Sequence, residues 1–182
     1  MGRPGRPERS ALFVGMLSGY PELFDAVTRI LVRKFGPVDL ESEVIPFDFT
    51  DYYTSEMGAG LQRKFVAFQR PILPDMISEI KVFTNRLERK YSQGEKRRIN
   101  LDPGYLTSAK IVLVSTKNFS HRIYLGRGIY AEITFICHKD RLEPLPWTYP
   151  DYRTEAYLRF FQDLRKLAKT INHKVKYSNN IQ

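Results

Sequence analysis

Residues 122–125 and 129–136 are apolar-rich segments that flank Gly126-Arg127-Gly128, and this arrangement restricts the fold more than any other feature of the chain. Two glycines in so short a connection supply the positive φ angles a tight hairpin demands, so the segments on either side have to pair antiparallel. A loop made of those residues sets Leu125 opposite Ile129, Tyr124 opposite Tyr130, Ile123 opposite Ala131 and Arg122 opposite Glu132. Side chains alternate along a strand. Ile123, Leu125, Ile129, Ala131 and Ile133 are therefore expected to be buried, and Arg122, Tyr124, Tyr130, Glu132 and Thr134 to form a polar, aromatic face. Arg122 and Glu132 would be cross-strand neighbours on that face, an exposed ion pair contributing about 0–1 kcal/mol.

Upstream, residues 11–17 read as a short buried strand. Pro21 then opens a helix with Glu22 and Asp25 in its first turn, Leu23, Val27, Ile30 and Leu31 on one stripe, Arg33 and Lys34 near its negative end, and Gly36-Pro37 as its stop. Residues 43–49 and 63–69 suit two further strands. A second helix carries Met76, Ile80, Phe83, Leu87 and Tyr91 between Pro74 and Gly94, and a β-branched strand follows at 110–116. The order β-α-β-β-α-β predicts an α+β fold, a mostly antiparallel sheet with a ferredoxin-like core, to which the hairpin is added. A last helix with Tyr157, Phe161, Leu164, Ala168 and Ile171 on one face would pack over the sheet. A chain of 182 residues fits a single domain, placed at 10–176, with residues 1–9 and 177–182 as flexible ends.

Charge and cysteine usage narrow the setting. Lys and Arg number 29 against 20 Asp and Glu, a formal charge of +9 that favours phosphorylated partners such as nucleotides or RNA. The excess is gathered in Arg86, Arg89, Lys90, Lys96, Arg97 and Arg98, and again along the last helix from Arg159 to Lys176. Taken singly, each cluster is better read as a solvated helix face in a basic protein. No apolar run reaches the roughly twenty residues of a membrane span, and Cys137, the only cysteine, allows no internal disulfide and is best read as a small apolar residue. A cytoplasmic protein without membrane contact is expected.

The signatures of common enzyme classes are absent. There is no phosphate loop with its Lys-Ser or Lys-Thr pair, and Gly58-Ala59-Gly60 with Lys64 suits a turn before the third strand. No nucleophile elbow, paired-histidine zinc helix or kinase set occurs. Three shorter stretches carry candidate chemistry. In the polar segment from Ser115 to Arg122, Lys117, His121 and Arg122 would converge on a phosphate, with His121 the candidate acid or base near neutral pH; a surface loop satisfying its own backbone reads equally well. Asn100-Leu101-Asp102-Pro103-Gly104-Tyr105 has the residues of a turn that fixes Asp102, where a carboxylate would bind Mg²⁺ or a ribose hydroxyl, with Asp51 as a second metal ligand beside Tyr52-Tyr53. Trp147-Thr148-Tyr149-Pro150-Asp151-Tyr152 offers rings that would stack a base, or plug the core while Asp151 caps the last helix.

The stretch from Glu43 to Tyr53, the segment 100–105, residues 115–134 and 147–152 together resemble a prokaryotic family catalogued as domain of unknown function 4416. The resemblance runs from Ala11 to about Leu167. It implies little mechanism, although some members carry the label of GTP-binding protein. Here Thr116-Lys117-Asn118 departs from the Asn-Lys-x-Asp element with which the usual GTPases read guanine. Two readings of function follow. In the first, a nucleotide or other phosphorylated ligand is held by Lys117, His121 and Arg122, with Asn100, Asp102 and Glu132 in the polar site, Tyr124, Tyr130 or Trp147 flanking a base, and Asp51 and Asp102 binding Mg²⁺. In the second, the chain is a non-catalytic RNA-binding or ribonucleoprotein-associated module.

Overall fold

The structure is a computed structural model describing residues 2–50, 53–139 and 141–178. It is an α+β architecture whose strands form one sheet, every pairing antiparallel. The elements in chain order are β1 (Ala11–Ser18), α1 (Glu22–Phe35), β2 (Val38–Glu41), β3 (Ile45–Pro46), the single turn α2 (Thr54–Met57), β4 (Gln62–Phe68), α3 (Ile77–Tyr91), β5 (Asn100–Leu106), β6 (Lys110–Ser115), β7 (Ile123–Gly126), β8 (Ile129–His138), β9 (Arg141–Pro144) and α4 (Glu155–Ser178). Short 3₁₀ turns, Pro74–Met76 and Asp151–Arg153, precede α3 and α4. The sheet order is β2-β4-β1-β5-β6-β8-β7, with β3 beside β4 and β9 beside β8. No helix among the described residues is long and apolar enough to cross a membrane.

β1 is central and buried along its whole length, because helices cover both faces of the sheet there. Leu12, Val14 and Met16 point to a layer containing Leu23, Val27 and Leu31 of α1 and Ile77, Ile80 and Leu87 of α3. On the opposite face Phe13 and Phe65 meet Tyr157, Phe160, Phe161 and Leu164 of α4. The Phe65 ring stacks on Phe160 at 5.0 Å and meets the Tyr157 ring edge-on at 4.7 Å, so aromatic packing fixes α4 on the sheet.

Three expectations are corrected. The strand expected at 43–49 is replaced by two shorter ones, β2 and β3, on either side of residues 42–44, and Ser42 bonds the backbone of β4: Phe65 N donates to its Oγ at 2.9 Å. Residues 100–105 form the strand β5, not a turn. Pairing with β1 over seven residues, from Leu17↔Asn100 to Ala11↔Leu106, overrides the local turn chemistry of Asp-Pro-Gly. Gly104 has its own reason to be there, since a Cβ at this position would lie 2.4 Å from Phe13 Cζ and 2.6 Å from the Val112 carbonyl oxygen.

The third correction concerns the hairpin. Ile123 pairs with Ala131 and Tyr124 with Tyr130 as expected, but Gly126 rather than Leu125 faces Ile129, leaving Leu125 in a bulge and Arg127-Gly128 as the loop. Both loop residues have positive φ, 59° and 74°. The two faces also carry the opposite burial to that expected of them at several positions. β7 is an edge strand, so Ile123 is 71% exposed and Leu125 40%, whereas Glu132 and Thr134 of β8 are buried. The segment between β9 and α4 covers them: Thr148 Oγ1 donates to the Thr134 carbonyl and Trp147 Nε1 to the Ile133 carbonyl at 2.8 Å.

Candidate functional site

All of β5 pairs with β1, but its pairing with β6 is confined to Gly104–Leu106 against Ile111–Leu113. Extending that ladder by one residue would set Pro103 opposite Val114, and proline has no N–H to give. Beyond Leu113 only the other edge of β6 stays paired, with Val114 and Ser115 opposite Ala131 and Tyr130 of β8. The sheet thus forks between β5 and β6, and a cavity of about 630 Å³ occupies the fork. Asn100 and Asp102 line it from one prong; Val114, Ser115, Thr116 and Lys117 line it from the other. Because the sheet is open here, α3 contributes Lys81, Glu88 and Arg89 from one face, and the turn before α4 contributes Asp151 and Tyr152 from the other.

Among the described residues, six cationic side chains, Arg63, Lys81, Arg89, Arg97, Lys117 and Arg122, line this cavity against four carboxylates, Glu88, Asp102, Glu132 and Asp151. Arg63 is buried at the centre. Its Nη1 donates to Asp102 Oδ2 at 3.0 Å, its Nε to the Tyr157 hydroxyl at 3.2 Å, and its Nη2 lies 3.6 Å from Asp151 Oδ2. Lys81, also buried, donates to the Leu101 carbonyl at 2.6 Å and sits 3.6 Å from Glu88 and 3.9 Å from Asp102. Asn100 Nδ2 donates to Asp102 at 2.7 Å and its Oδ1 accepts from Arg97 at 3.0 Å, while Arg97 grips both oxygens of Glu56. These contacts divide the acids. Burial by itself would raise the Asp102 carboxyl, but Lys81 and Arg63 outweigh it and hold Asp102 below the usual carboxylate range. Burial wins at Glu88 and at Asp151, and raises both. Tyr157, likewise raised by burial, is pushed up to about 12.

A second knot closes the outer wall. Arg122 Nε donates to Glu132 Oε2 at 2.7 Å with both side chains only 3% exposed, so this is a buried pair and not the exposed one expected from the alternation. Burial would lower the Arg122 guanidinium, and Glu132 raises it instead. The same carboxylate oxygen lies 3.0 Å from His121 Nε2. Arg122 further donates to the Lys117 carbonyl at 2.8 Å and to the Tyr149 hydroxyl at 2.9 Å. The His121 ring is stacked between Phe119 and Trp147, at 5.9 and 5.1 Å.

Residues 8–167 match the family described as Domain of unknown function (DUF4416). The chain belongs to that family. No curated protein and no solved structure matches it.

In this DUF4416 chain the cavity gathers Asn100, Asp102, Lys117, Arg122 and Glu132 of the residues singled out from sequence. His121 reaches it through Glu132, and Trp147 through His121. Tyr124 and Tyr130 stand apart on the hairpin, their rings tilted together at 5.1 Å. Asp51 lies outside the described residues, and among the described residues no group of three or more His, Cys, Asp and Glu is placed to hold a metal. Asp102 is surrounded by cations instead. Asp151 does not cap α4 through its side chain, which turns to Arg63; its carbonyl accepts from Thr154. Lys64 of the glycine-rich segment pairs with Glu41, away from the cavity. The basic cluster that runs from the end of α3 into the segment after it splits: Arg97 lines the cavity with Arg89, whereas Arg98 lies over the Tyr20 ring at 4.1 Å. Sequence reading missed Arg63, Lys81 and Glu88. The available signal was charge within apolar periodicity: Lys81 and Glu88 share α3 with its buried Ile80 and Leu87, and Arg63 keeps the alternation that buries Phe65 and Ala67 of β4.

Proposed function

We propose that this DUF4416 protein binds a phosphorylated ligand, such as a nucleotide, in the fork between β5 and β6. The observation that carries this reading is the excess of cationic over acidic side chains in a cavity of about 630 Å³, with Phe47, Phe49, Phe119 and Tyr149 on its walls. That size suits a small organic ligand, and cations between low-dielectric walls concentrate anions. Arg89 is exposed at the cavity and has no ion pair or side-chain hydrogen bond among the described residues, so its charge is available to an incoming anion. Binding and positioning are the roles the residues support; Glu88 and Asp151, raised by burial, and Asp102, held lower by Lys81 and Arg63, are the acids placed at the cavity if a reaction follows. The scaffold is read as a ferredoxin-like split unit, supported by the order β2-β4-β1-β5 with antiparallel neighbours. A cytoplasmic setting accords with the lone, half-buried thiol of Cys137.

Calorimetric titration of the full chain with GTP, ATP and inorganic triphosphate tests the reading. Saturable binding of at least one at submillimolar concentration is expected; no heat and no rise in melting temperature with any of them would remove it.

A second reading, an RNA-associated module, draws on the exposed rings of Phe119, Tyr124 and Tyr149 beside the edge strand β7. It predicts RNA affinity that falls steeply with salt.

A further inference from the structure

Two polar atoms among the described residues that line the fork cavity are buried without a hydrogen-bond partner: Glu132 Oε1 and the Tyr152 hydroxyl. Their side chains are 4% and 2% exposed as residues. A buried acceptor left unpaired costs roughly 1–3 kcal/mol, more when it is charged, so native structures pair such atoms with protein, water or ligand. The rest of each residue is fully engaged. Glu132 Oε2 is pinned by Arg122 Nε at 2.7 Å and faces His121 Nε2 at 3.0 Å, which leaves Oε1 little freedom to seek another partner. The Tyr152 ring is wedged against Phe65, Tyr157 and Phe161, so its hydroxyl is equally fixed.

The cavity is also polarised. On the α3 side Lys81, Arg89 and Arg97 outnumber Glu88, whereas on the α4 side Arg63 and Arg122 are matched by Asp151 and Glu132, with Tyr152 beside them and Glu132 opposite Leu113 of the α4-facing core. An anionic group is attracted to the first wall, and a hydrogen-bond donor is wanted by the second. We propose that Glu132 and Tyr152 are specificity-determining residues for the ligand of this cavity, which carries a hydroxyl or amino donor at the end remote from its phosphate. The ligand class is then a phosphorylated polyol or nucleoside rather than a bare polyphosphate or an apolar anion. This inference rests on the proposed function. Solvent does not reach either oxygen in this conformation, so the wall yields slightly when the donor enters, and attraction of the anionic end supplies the driving force. The shared chemistry, a donor, has two sources in a nucleotide: the ribose hydroxyls and the amino group of the base.

The test is calorimetric titration of the full chain, and of Tyr152→Phe and Glu132→Gln, with inorganic triphosphate, GTP, ATP and the 2′,3′-dideoxy forms of both nucleotides. The wild type is expected to bind one nucleotide at least about tenfold more tightly than triphosphate. Both substitutions should cut that preference, Glu132→Gln by about tenfold and Tyr152→Phe by about threefold; triphosphate affinity should stay within about twofold of the wild type in Tyr152→Phe and rise in Glu132→Gln, which removes a negative charge from the cavity. Tyr152→Phe keeps the test valid should Glu132→Gln fail to fold: its hydroxyl has no partner among the described residues, so the melting temperature without ligand should not fall. A dideoxy form that binds as weakly as triphosphate places the donor on the ribose; one that binds like its parent places it on the base. Equal affinity for triphosphate and nucleotides, or substitutions that weaken all probes alike, overturns this inference and leaves the proposed function standing. No binding by any probe overturns both.

Discussion

Asp102 Oδ2 accepts a hydrogen bond from Arg63 Nη1 at 3.0 Å, joining residues 39 apart in the chain at the inner wall of the fork. Asp102 also lies within reach of Lys81, and Asp151 approaches Arg63 from the other side. The Arg63 side chain is 4% exposed, so the guanidinium depends on these carboxylates for the hydration it has lost. Replacing Asp102 by Asn should destabilise the protein by about 3 kcal/mol, and Arg63→Met by at least as much, since it strands two acids. Urea denaturation at pH 7 measures both; a loss under 1 kcal/mol for either would show that the network carries little of the stability.

The divided acids give stability a defined pH dependence. Asp102 is held below its ordinary range by Lys81 and Arg63 against the effect of burial, so the unfolded chain takes up its proton first. Its contribution is present above about pH 4 and is lost as pH falls through the lower folded value. Glu88 and Asp151 are raised by burial and act in the opposite sense: the folded state binds their protons more tightly, so stability falls as pH rises from about 4 through their raised values. The urea midpoint of the wild type should pass through a maximum in mild acid. Glu88→Gln should flatten the neutral-side fall, and Asp102→Asn the acid-side fall.

Gly104→Ala tests the packing that holds the base of the fork. The new methyl would meet the Phe13 ring and the Val112 carbonyl at under 3 Å, and the carbonyl belongs to the paired β6 backbone. Overpacking of this kind costs typically 1–3 kcal/mol, and about 3 kcal/mol is expected because the backbone has to shift. A melting temperature unchanged from the wild type would contradict the close approach.

Arg122→Gln separates a buried pair from an exposed one. Leaving Glu132 without its strongest partner should cost about 3 kcal/mol, against the 0–1 kcal/mol of a surface pair. Chemical denaturation of the single variant, with His121→Phe beside it to count the second contact to Glu132, gives the value.

Arg89→Gln should behave in the reverse way. Exposed and without an ion pair among the described residues, this side chain should be worth under about 0.5 kcal/mol to stability. Its loss should nevertheless weaken triphosphate binding several-fold and lessen the salt dependence of that binding. Unchanged affinity would place the anion elsewhere in the cavity.

Elements whose signals are local could be read from the chain alone. The apolar stripes of α1 and α3, with Gly36 and the tract before Gly94 as stops, and the register of Ile123 with Ala131 and Tyr124 with Tyr130, follow from periodicity and from glycines at positive φ. What those elements face was settled by packing between distant segments. Asp-Pro-Gly at 102–104 carries turn chemistry, yet β1 on one side and Phe13 against Gly104 make it a strand, and Pro103 turns the same motif into the fork that creates the cavity. Alternation placed Arg122 and Glu132 on one face but not their burial, because the cover comes from residues 147–149, and Arg63, Lys81 and Asp102 acquire partners only when β4, α3 and β5 meet. Backbone preferences act over a few neighbouring residues, whereas burial and ion pairing depend on the strands and helices that pack around a side chain, and those lie far away in the chain.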